Sequence, residues 1–150
     1  MIFVDNIKNL NFVCDDLLDY LKAVDKSFPV PLSDKVVLEE YAKKLYDNAE
    51  IFVAYENDTI VGIFAGYVND YDTKMAYGSV LTVLDTYQGC GIATRLLDAF
   101  CDCAKSRNME KIMFCVYLDN EPAMKLYTKK GFAVYKKEEE NRAFLIKELK

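Results

Sequence analysis

The feature that most constrains the fold is a strand-turn-helix-strand succession in the middle of the chain. The run MAYGSVLTVL (75–84) is almost entirely apolar, which is typical of a buried strand. After the turn DTYQGCG (85–91), apolar residues recur at helical spacing, and a second apolar run, KIMFCVYL (111–118), follows the helix. A strand-helix-strand unit obeys the right-handed crossover rule. The sequence therefore predicts a β-sheet with helices packed on it.

The rest of the chain supplies further elements of both kinds. Apolar periodicity predicts two opening helices, with Ser33 or Asp34 capping the second, and Asn57-Asp58 marks a tight hairpin. A first strand is poorly marked within 1–10. The predicted elements are helices at 15–23, 33–48 and 122–130, the last closed by Gly131, and strands at 51–56, 59–68, 133–138 and 142–149. This order predicts a mixed α/β sheet.

Length and composition indicate one domain. The chain has 150 residues, no linker-like stretch divides it, and 52% of its residues are hydrophobic. No apolar run approaches the ~20 residues of a membrane span. The five cysteines are odd in number and lack C-x-x-C spacing, which is typical of reduced thiols in a cytoplasm. We therefore expect a single cytoplasmic domain, residues 1–150, that does not enter a membrane.

The absence of histidine narrows the chemistry. A zinc or iron site would need cysteines and carboxylates alone, and none is suitably spaced, so we expect no metal. Any general acid or base must be Tyr, Cys, Asp, Glu, Lys, main chain or water. The net charge of -5, without a basic stripe, argues against nucleic acid and suits a neutral or cationic substrate.

The turn between the central strand and its helix is suited to holding phosphate. The first amides of a helix have no intrahelical partner, and the positive end of the helix dipole faces whatever lies before them. Gly89 and Gly91 lack the Cβ atoms that would keep a pyrophosphate from the main chain. Ala93 is small, and Thr94 adds a hydroxyl group. For G-x-G alone, the hypothesis that the glycines only permit a sharp connection is about equally supported.

Spacing excludes two common phosphate loops. The triphosphate loop requires Gly-Lys-Ser/Thr, which the chain lacks. The dinucleotide fingerprint requires a third glycine where Thr94 stands and an acidic residue near Lys111. What remains is Q-x-x-G-x-A, formed by Gln88, Gly91 and Ala93 directly after a buried strand. This pattern resembles the [QR]-x-x-G-x-[GA] signature of the GNAT superfamily of acyl-CoA-dependent N-acetyltransferases.

A second motif makes the resemblance specific. NEPAMKLYTKKGF (120–132) matches the family's N-x-x-A-x-x-x-Y-x-x-x-G-F pattern after the next strand, and the resemblance covers most of the chain. It implies a mixed, mostly antiparallel central sheet with helices on both faces. It also implies an enzyme that moves an acetyl group from acetyl-CoA to a primary amine by direct transfer.

The resemblance carries over to particular residues. The loop would hold the pyrophosphate of coenzyme A, and the main chain of the preceding strand would hold the pantetheine arm and the thioester carbonyl. Cys90 is not expected to be a nucleophile, because its position is arbitrary in the family and no base adjoins it. The implied coenzyme-binding residues are Leu81, Thr82, Val83, Gln88, Gly89, Cys90, Gly91, Ile92, Ala93, Thr94, Asn120 and Tyr127.

Two residues of the second motif have competing interpretations. In the family the matching tyrosine lies near the coenzyme sulfur, which implies that Tyr127 is the general acid. A phenol of unperturbed pKa about 10 can protonate a thiolate whose parent thiol is near 8.5 when the developing charge lies close to it. Without the motif, Tyr127 would be interpreted as a core aromatic on the face of Ala123 and Leu126. Asn120 either contacts the coenzyme or caps the following helix, and both roles are compatible.

The sequence determines neither the general base nor the acceptor. A primary amine of pKa near 10 is only about one part in a thousand deprotonated at pH 7. The strand at 75–84 has no carboxylate that could act as the base, so we expect the proton to pass through water or main-chain groups.

The acceptor is also left open by the sequence. Amino acids, aminosugars, polyamines, antibiotics and protein termini are all compatible with it, although we expect a small-molecule amine. A homodimer is compatible with the resemblance. One segment has two interpretations: it frames a polar or cationic acceptor, or it is an ordinary tyrosine-rich loop. The residues concerned are Tyr67, Asn69, Asp70, Tyr71 and Tyr77.

Two rival functions belong to other classes. An idle acyl-CoA-binding module would keep the loop without turnover, and a structural domain would bind nothing. The presence of Tyr127 together with the loop favours the enzyme.

Overall fold

The computed structural model describes residues 1–28, 30–139 and 141–149. Within these residues the chain forms one mixed sheet with α-helices between its strands. The strands are β1 Phe3–Asn6, β2 Glu50–Glu56, β3 Thr59–Tyr67, β4 Met75–Val83, β5 Lys111–Tyr117, β6 Ala133–Glu139 and β7 Arg142–Glu148. The helices are α1 Cys14–Val24, α2 Leu38–Asn48, α3 Ile92–Ser106 and α4 Glu121–Lys129.

Strand pairing confirms the predicted mixed, mostly antiparallel sheet. The strand order is β1-β2-β3-β4-β5-β7-β6. Strands β4 and β5, on either side of α3, pair in parallel, with Met75 opposite Lys111 and Gly78 opposite Phe114. The pairs β1 with β2, β2 with β3, β5 with β7, and β6 with β7 are antiparallel. The connection through α3 therefore accounts for the parallel pairing of β4 with β5.

The start of the second helix differs from the prediction. Helix α2 begins at Leu38, and Val37 before it makes no side-chain cap hydrogen bond. Residues Leu32–Asp34 form a separate 3₁₀ turn, so Ser33 and Asp34 do not cap α2. Instead, the main-chain N–H and the hydroxyl group of Ser33 donate to the Asp25 carboxylate at 2.7 and 2.6 Å. The Asp25 carboxylate thus accepts the two hydrogen bonds of Ser33, and Ser33 does not cap the helix.

The chain divides into two compact units. Unit 1 comprises residues 1–66 and 80–100, and unit 2 comprises residues 67–79 and 101–150. In unit 1 the core is formed by side chains of α1, α2 and β3 together with the first part of α3. The Phe64 and Phe100 rings stack at 4.4 Å between centroids, and both are fully buried. Leu17 and Leu21 of α1 are also fully buried, as the apolar periodicity of that helix predicts.

The core of unit 2 contains an aromatic cluster. The Phe114 ring of β5 lies 4.8 Å from the Tyr127 ring of α4 and 4.9 Å from the Phe132 ring. Gly78 of β4 leaves room for Phe114, since a Cβ atom at Gly78 would overlap the phenylalanine ring. Gly131 ends α4 with a φ of +93°, a left-handed conformation that favours glycine.

Two further predictions can be compared with the described part of the chain. The five cysteines all lie in it and form no disulfide. None of the helices found there has the length and apolar character needed to cross a bilayer.

Candidate functional site

The loop that leads into α3 is open and glycine-dependent. A 3₁₀ turn at Asp85–Tyr87 follows β4, and residues 88–91 are exposed. Gly89 has a φ of +81° and Gly91 a φ of +77°, conformations that L-residues with a Cβ atom rarely adopt. A Cβ atom at either position would meet nothing within 4 Å. Glycine is therefore required by the backbone conformation, and the space in front of the loop is open to a ligand.

The first turn of α3 presents main-chain donors behind this loop. The N–H of Arg95 donates to the Gly91 carbonyl at 3.1 Å. The amides of Ile92, Ala93 and Thr94 precede this bond and so have no intrahelical acceptor. With the partial positive charge of the helix end, they form the kind of environment that binds phosphate.

Gln88, the first residue of the motif, shapes the loop. Its Nε2 donates to the Val83 carbonyl and to Asp85 Oδ1, each at 3.3 Å. The side chain thus folds back on the end of β4 and spans the 3₁₀ turn. We conclude that Gln88 ties the loop to the strand, which the motif alone does not reveal.

The end of β4 is held by a residue that the sequence did not single out. The hydroxyl group of Tyr20, in α1, donates to the Thr82 carbonyl at 3.2 Å. Tyr20 is only 5% exposed, and burial raises its pKa although the hydrogen bond to Thr82 acts in the opposite direction. Leu81, Thr82 and Val83 are the residues implied to bind the pantetheine arm. The main-chain carbonyl oxygens of Thr82 and Val83 already accept hydrogen bonds from side chains of unit 1.

Tyr127, in unit 2, has the opposite character. Its ring is buried against Phe114 and Phe132, and burial raises the pKa of its phenol. Within the described residues, its hydroxyl group has no hydrogen-bond partner. Tyr127 is thus a core aromatic by its ring, while its hydroxyl group is not used by the fold.

Asn120 is a helix cap, as one of its two interpretations predicts. Its Oδ1 accepts from the Ala123 N–H at 3.4 Å, one residue before Glu121 begins α4. Pro122 occupies the first turn, where its missing N–H is not needed.

The tyrosine-rich segment between β3 and β4 divides into two kinds of residue. Asp70 accepts from the Thr73 N–H at 3.1 Å, and the hydrogen bonds from Thr73 hold the pKa of its carboxyl below the usual value, so it is a turn residue. Asn69 and Tyr71 are exposed. Partial burial raises the pKa of Tyr67 and also that of Tyr77, which is 37% exposed.

Tyr77 belongs to a half-exposed face of the sheet in unit 2. Its register partner is Met113, and Cys115 and Tyr117 follow on the same side of β5 because side chains alternate along a strand. Tyr117 pairs with Arg142 of β7. The opposite face, which includes Phe114, is buried. The alternation in KIMFCVY carried this signal, but the sequence alone did not connect these residues with Tyr77.

No cluster of three or more His, Cys, Asp or Glu residues able to hold a metal ion occurs among the residues that the structure describes. The chemistry available on these elements includes main-chain amides, phenols, thiols, carboxylates and the guanidinium groups of Arg95 and Arg142.

Comparison with known proteins places this geometry in a family. The model of the acetyltransferase (GNAT) family matches residues 17–132. Among curated proteins, N-alpha-acetyltransferase 30 of Schizosaccharomyces pombe is 33% identical over 121 residues, which cover 79% of this chain and 81% of that protein.

Solved structures share the fold over nearly the whole chain. A GNAT-family acetyltransferase from Staphylococcus aureus Mu50 superimposes with a TM-score of 0.78 at 19% identity, covering 100% of both chains. A GNAT-family acetyltransferase from Elizabethkingia anophelis, solved with acetyl-CoA bound, gives 0.69 at 18% identity over 98% of this chain and 97% of that one. With the family model matching most of its length, this chain is an acetyltransferase of the GNAT family.

Proposed function

We propose that this enzyme transfers the acetyl group of acetyl-CoA directly to the α-amine at a polypeptide N-terminus, and that residues 1–150 act as one catalytic domain. The open, glycine-dependent loop before α3 is the observation that carries the choice of donor. The choice of acceptor is supported by the relative from S. pombe, which is named an N-alpha-acetyltransferase and matches most of the chain. A small-molecule amine, the acceptor expected from the sequence, becomes the alternative.

The coenzyme would be held mainly by main-chain groups. Gly89 and Gly91 let the pyrophosphate approach the backbone, and the amides of residues 92–94 donate to its oxygens. Thr94 adds a hydroxyl donor. The Elizabethkingia structure, solved with acetyl-CoA bound, supports acetyl-CoA as the donor. The remaining proposed contacts are those of Leu81, Thr82, Val83, Cys90 and Asn120, with Gln88 fixing the loop.

In the proposed reaction, the amine nitrogen attacks the thioester carbonyl carbon. A C–N bond forms, the C–S bond breaks, and the sulfur leaves as a thiolate that takes a proton from the Tyr127 hydroxyl group. The proton lost by the amine passes to water, and water then returns a proton to the phenolate. Burial raises the pKa of Tyr127, so the phenol is protonated at neutral pH but is a weaker acid than a free phenol. Proton donation to the thiolate would therefore depend on the negative charge that develops next to the hydroxyl group.

The half-exposed face in unit 2 supports a peptide acceptor. The phenols of Tyr77 and Tyr117 can exchange hydrogen bonds with peptide main-chain groups, and their rings cover apolar side chains. Cys115, which is partly exposed, lies on β5 between Tyr117 and Met113, the register partner of Tyr77. The net charge of -5 favours approach of a cationic amino terminus.

A matched pair of peptides tests the acceptor. Purified enzyme would be incubated with acetyl-CoA and peptides whose N-termini are either unmodified or blocked by formylation, each carrying one internal lysine. Mass spectrometry should locate the acetyl group on the α-amine of the unmodified peptide and on neither lysine.

Three outcomes would overturn parts of the proposal. Acetylation of the lysine in both peptides would replace the α-amine by a side-chain amine. Turnover with polyamines or aminosugars, but not with peptides, would restore the small-molecule acceptor. Saturable binding of acetyl-CoA without acetyl transfer to any amine would leave only a coenzyme-binding module.

A further inference from the structure

We propose that Tyr87 and Glu56 are positioning residues that hold the coenzyme loop, residues 88–94, in the shape that binds pyrophosphate. This inference rests on the proposed role of that loop. Neither residue belongs to the motif, and neither is expected to touch the coenzyme.

Packing does not hold the middle of the loop. Gly89 and Gly91 both have positive φ, no atom lies within 4 Å of a Cβ built on either, and residues 88–91 are exposed. Glycine backbones lose more conformational freedom on ordering than any other residue. The orientation of the loop amides must therefore be set from its two ends.

At the first end, Tyr87 makes a long-range contact. Its hydroxyl group donates to Glu56 Oε1 at 2.9 Å, and Glu56 is the last residue of β2. The hydrogen bond and the negative charge of Glu56 raise the pKa of Tyr87, so the phenol stays protonated and the bond is charge-assisted. The other carboxylate oxygen lies 3.1 Å from the main-chain nitrogen of Met1.

At the second end, Arg95 makes a contact with the same ribbon. Its Nη1 donates to the Ile2 carbonyl at 3.0 Å, while its own N–H closes the first turn of α3 on Gly91. Phe3, the residue after Ile2, pairs with Tyr55, the residue before Glu56. Both ends of the loop are thus tied to one end of the β1–β2 ribbon.

This arrangement predicts an effect on coenzyme affinity and little effect on turnover. Without the Tyr87 hydroxyl group, the loop would occupy its binding shape for a smaller fraction of the time. The apparent dissociation constant rises in proportion to that loss. Once the coenzyme is bound, the loop has the same shape as in the original protein, so the chemical step is unchanged.

The test compares Tyr87→Phe with the unsubstituted protein. The Kd of coenzyme A, measured by calorimetry, and the KM of acetyl-CoA should both rise roughly 3- to 10-fold, the range expected for one lost hydrogen bond. The kcat should stay within about 2-fold. Glu56→Ala should match Tyr87→Phe, Glu56→Gln should have a smaller effect because it keeps an acceptor, and the double variant should add little.

Matched controls come from exposed residues of α2. Tyr46→Phe, Glu40→Ala and Glu40→Gln make the same three chemical changes at exposed positions away from the loop, so they should leave Kd, KM and kcat unchanged. Thermal unfolding of all variants should show that each one is folded.

The outcomes separate the two proposals. If the unsubstituted protein binds no coenzyme A at millimolar concentration, the proposed function and this inference both fall. If it binds, but Tyr87→Phe and Glu56→Ala keep its Kd and KM, only the positioning role is wrong. A loss of kcat at unchanged KM would also overturn it, because that pattern indicates a role in the chemical step.

Discussion

Two tyrosines, one in each unit, are buried to almost the same degree but use their hydroxyl groups differently. Tyr20 is 5% exposed and donates to the Thr82 carbonyl at 3.2 Å. Tyr127 is 6% exposed, its ring lies 4.8 Å from that of Phe114, and its hydroxyl group has no partner in the described part of the chain. Burial raises the pKa of both phenols.

We propose that this difference in hydrogen bonding distinguishes a structural phenol, Tyr20, from a reactive one, Tyr127. Burial and a raised pKa are common to both, so neither property identifies the catalytic residue. A polar atom fully enclosed in a protein core normally has a hydrogen-bond partner, because leaving it without one costs about 1–3 kcal/mol. The Tyr127 hydroxyl oxygen is not among the fully enclosed, unpartnered side-chain atoms of the described residues, so it does not carry this cost. The Tyr20 hydroxyl group is satisfied within the fold, whereas we propose that the Tyr127 hydroxyl group is available for a reacting group.

The largest expected effect is on turnover by Tyr127→Phe. Loss of a general acid lowers kcat by about 100-fold, equivalent to roughly 2.7 kcal/mol of transition-state stabilisation. The KM for acetyl-CoA should change less than about 3-fold, and the free energy of unfolding should stay within about 0.5 kcal/mol because no hydrogen bond within the protein is lost. Thiol release at saturating substrates and urea unfolding measure the two quantities.

Tyr46→Phe is the matched control for this change, since Tyr46 is exposed on α2. It should leave kcat and stability unchanged. If Tyr127→Phe kept the original kcat, Tyr127 would be a core aromatic and the contrast with Tyr20 would lose its functional meaning.

A second substitution changes the surroundings of Tyr127 without touching its hydroxyl group. In Gly78→Ala, the new Cβ atom overlaps the Phe114 ring, which contacts Tyr127. Overpacking of this kind costs about 1–3 kcal/mol, and the shift of the aromatic cluster should lower kcat as well. Urea unfolding and steady-state kinetics measure both effects.

Gly62→Ala is the corresponding change near the Tyr20 bond. Its Cβ atom would lie 3.2 Å from the Thr82 carbonyl oxygen and 3.2 Å from Leu96, a milder contact. It should destabilise the protein less than Gly78→Ala does. A larger effect of Gly62→Ala on both kcat and stability would show that unit 1 holds the more sensitive geometry.

Local sequence patterns predicted most of the fold because their signals are local. Apolar periodicity marked the helices and strands, and the two glycines marked the loop. Strand β1, Phe3–Asn6, was poorly marked because it has four residues, two of them polar, and is defined by its pairing with β2. The sequence prediction that α2 begins near Ser33 is wrong, because Ser33 donates to the Asp25 carboxylate instead of capping the helix. Helix-capping rules consider only the residues next to the helix and do not include Asp25.

The supports of the site were not predictable, because each joins residues distant in the sequence. Tyr20 and Thr82 are 62 residues apart, and Glu56 and Tyr87 are 31 apart. A main-chain carbonyl acceptor leaves no mark in the sequence at all. The motif therefore predicts where the coenzyme would bind, while only the folded chain shows which side chains contact the loop and the end of the strand.

Alkaline pH should affect both tyrosines equally. The unfolded phenol ionises near pH 10, while each folded phenol has a raised pKa and keeps its proton. Above pH 10 the native state therefore binds more protons than the unfolded state, and stability falls by up to about 1.4 kcal/mol per pH unit for each tyrosine. Urea unfolding at pH 9, 10 and 11 should show this slope reduced in Tyr20→Phe and in Tyr127→Phe alike. An undiminished slope in either variant would mean that its phenol ionises without unfolding.

The smallest expected effect is the loss of stability in Tyr20→Phe. Removing the hydroxyl group leaves the Thr82 carbonyl without one donor, which costs about 1 kcal/mol. The midpoint of urea unfolding should fall while the slope with urea stays the same, since the buried area hardly changes. The kcat should fall by less than about 3-fold, because the ring still fills its place against β4. If Tyr20→Phe instead kept full stability and lost turnover as severely as Tyr127→Phe, a satisfied hydrogen bond would no longer mark the structural tyrosine, and Tyr20 would have to be placed in the reaction.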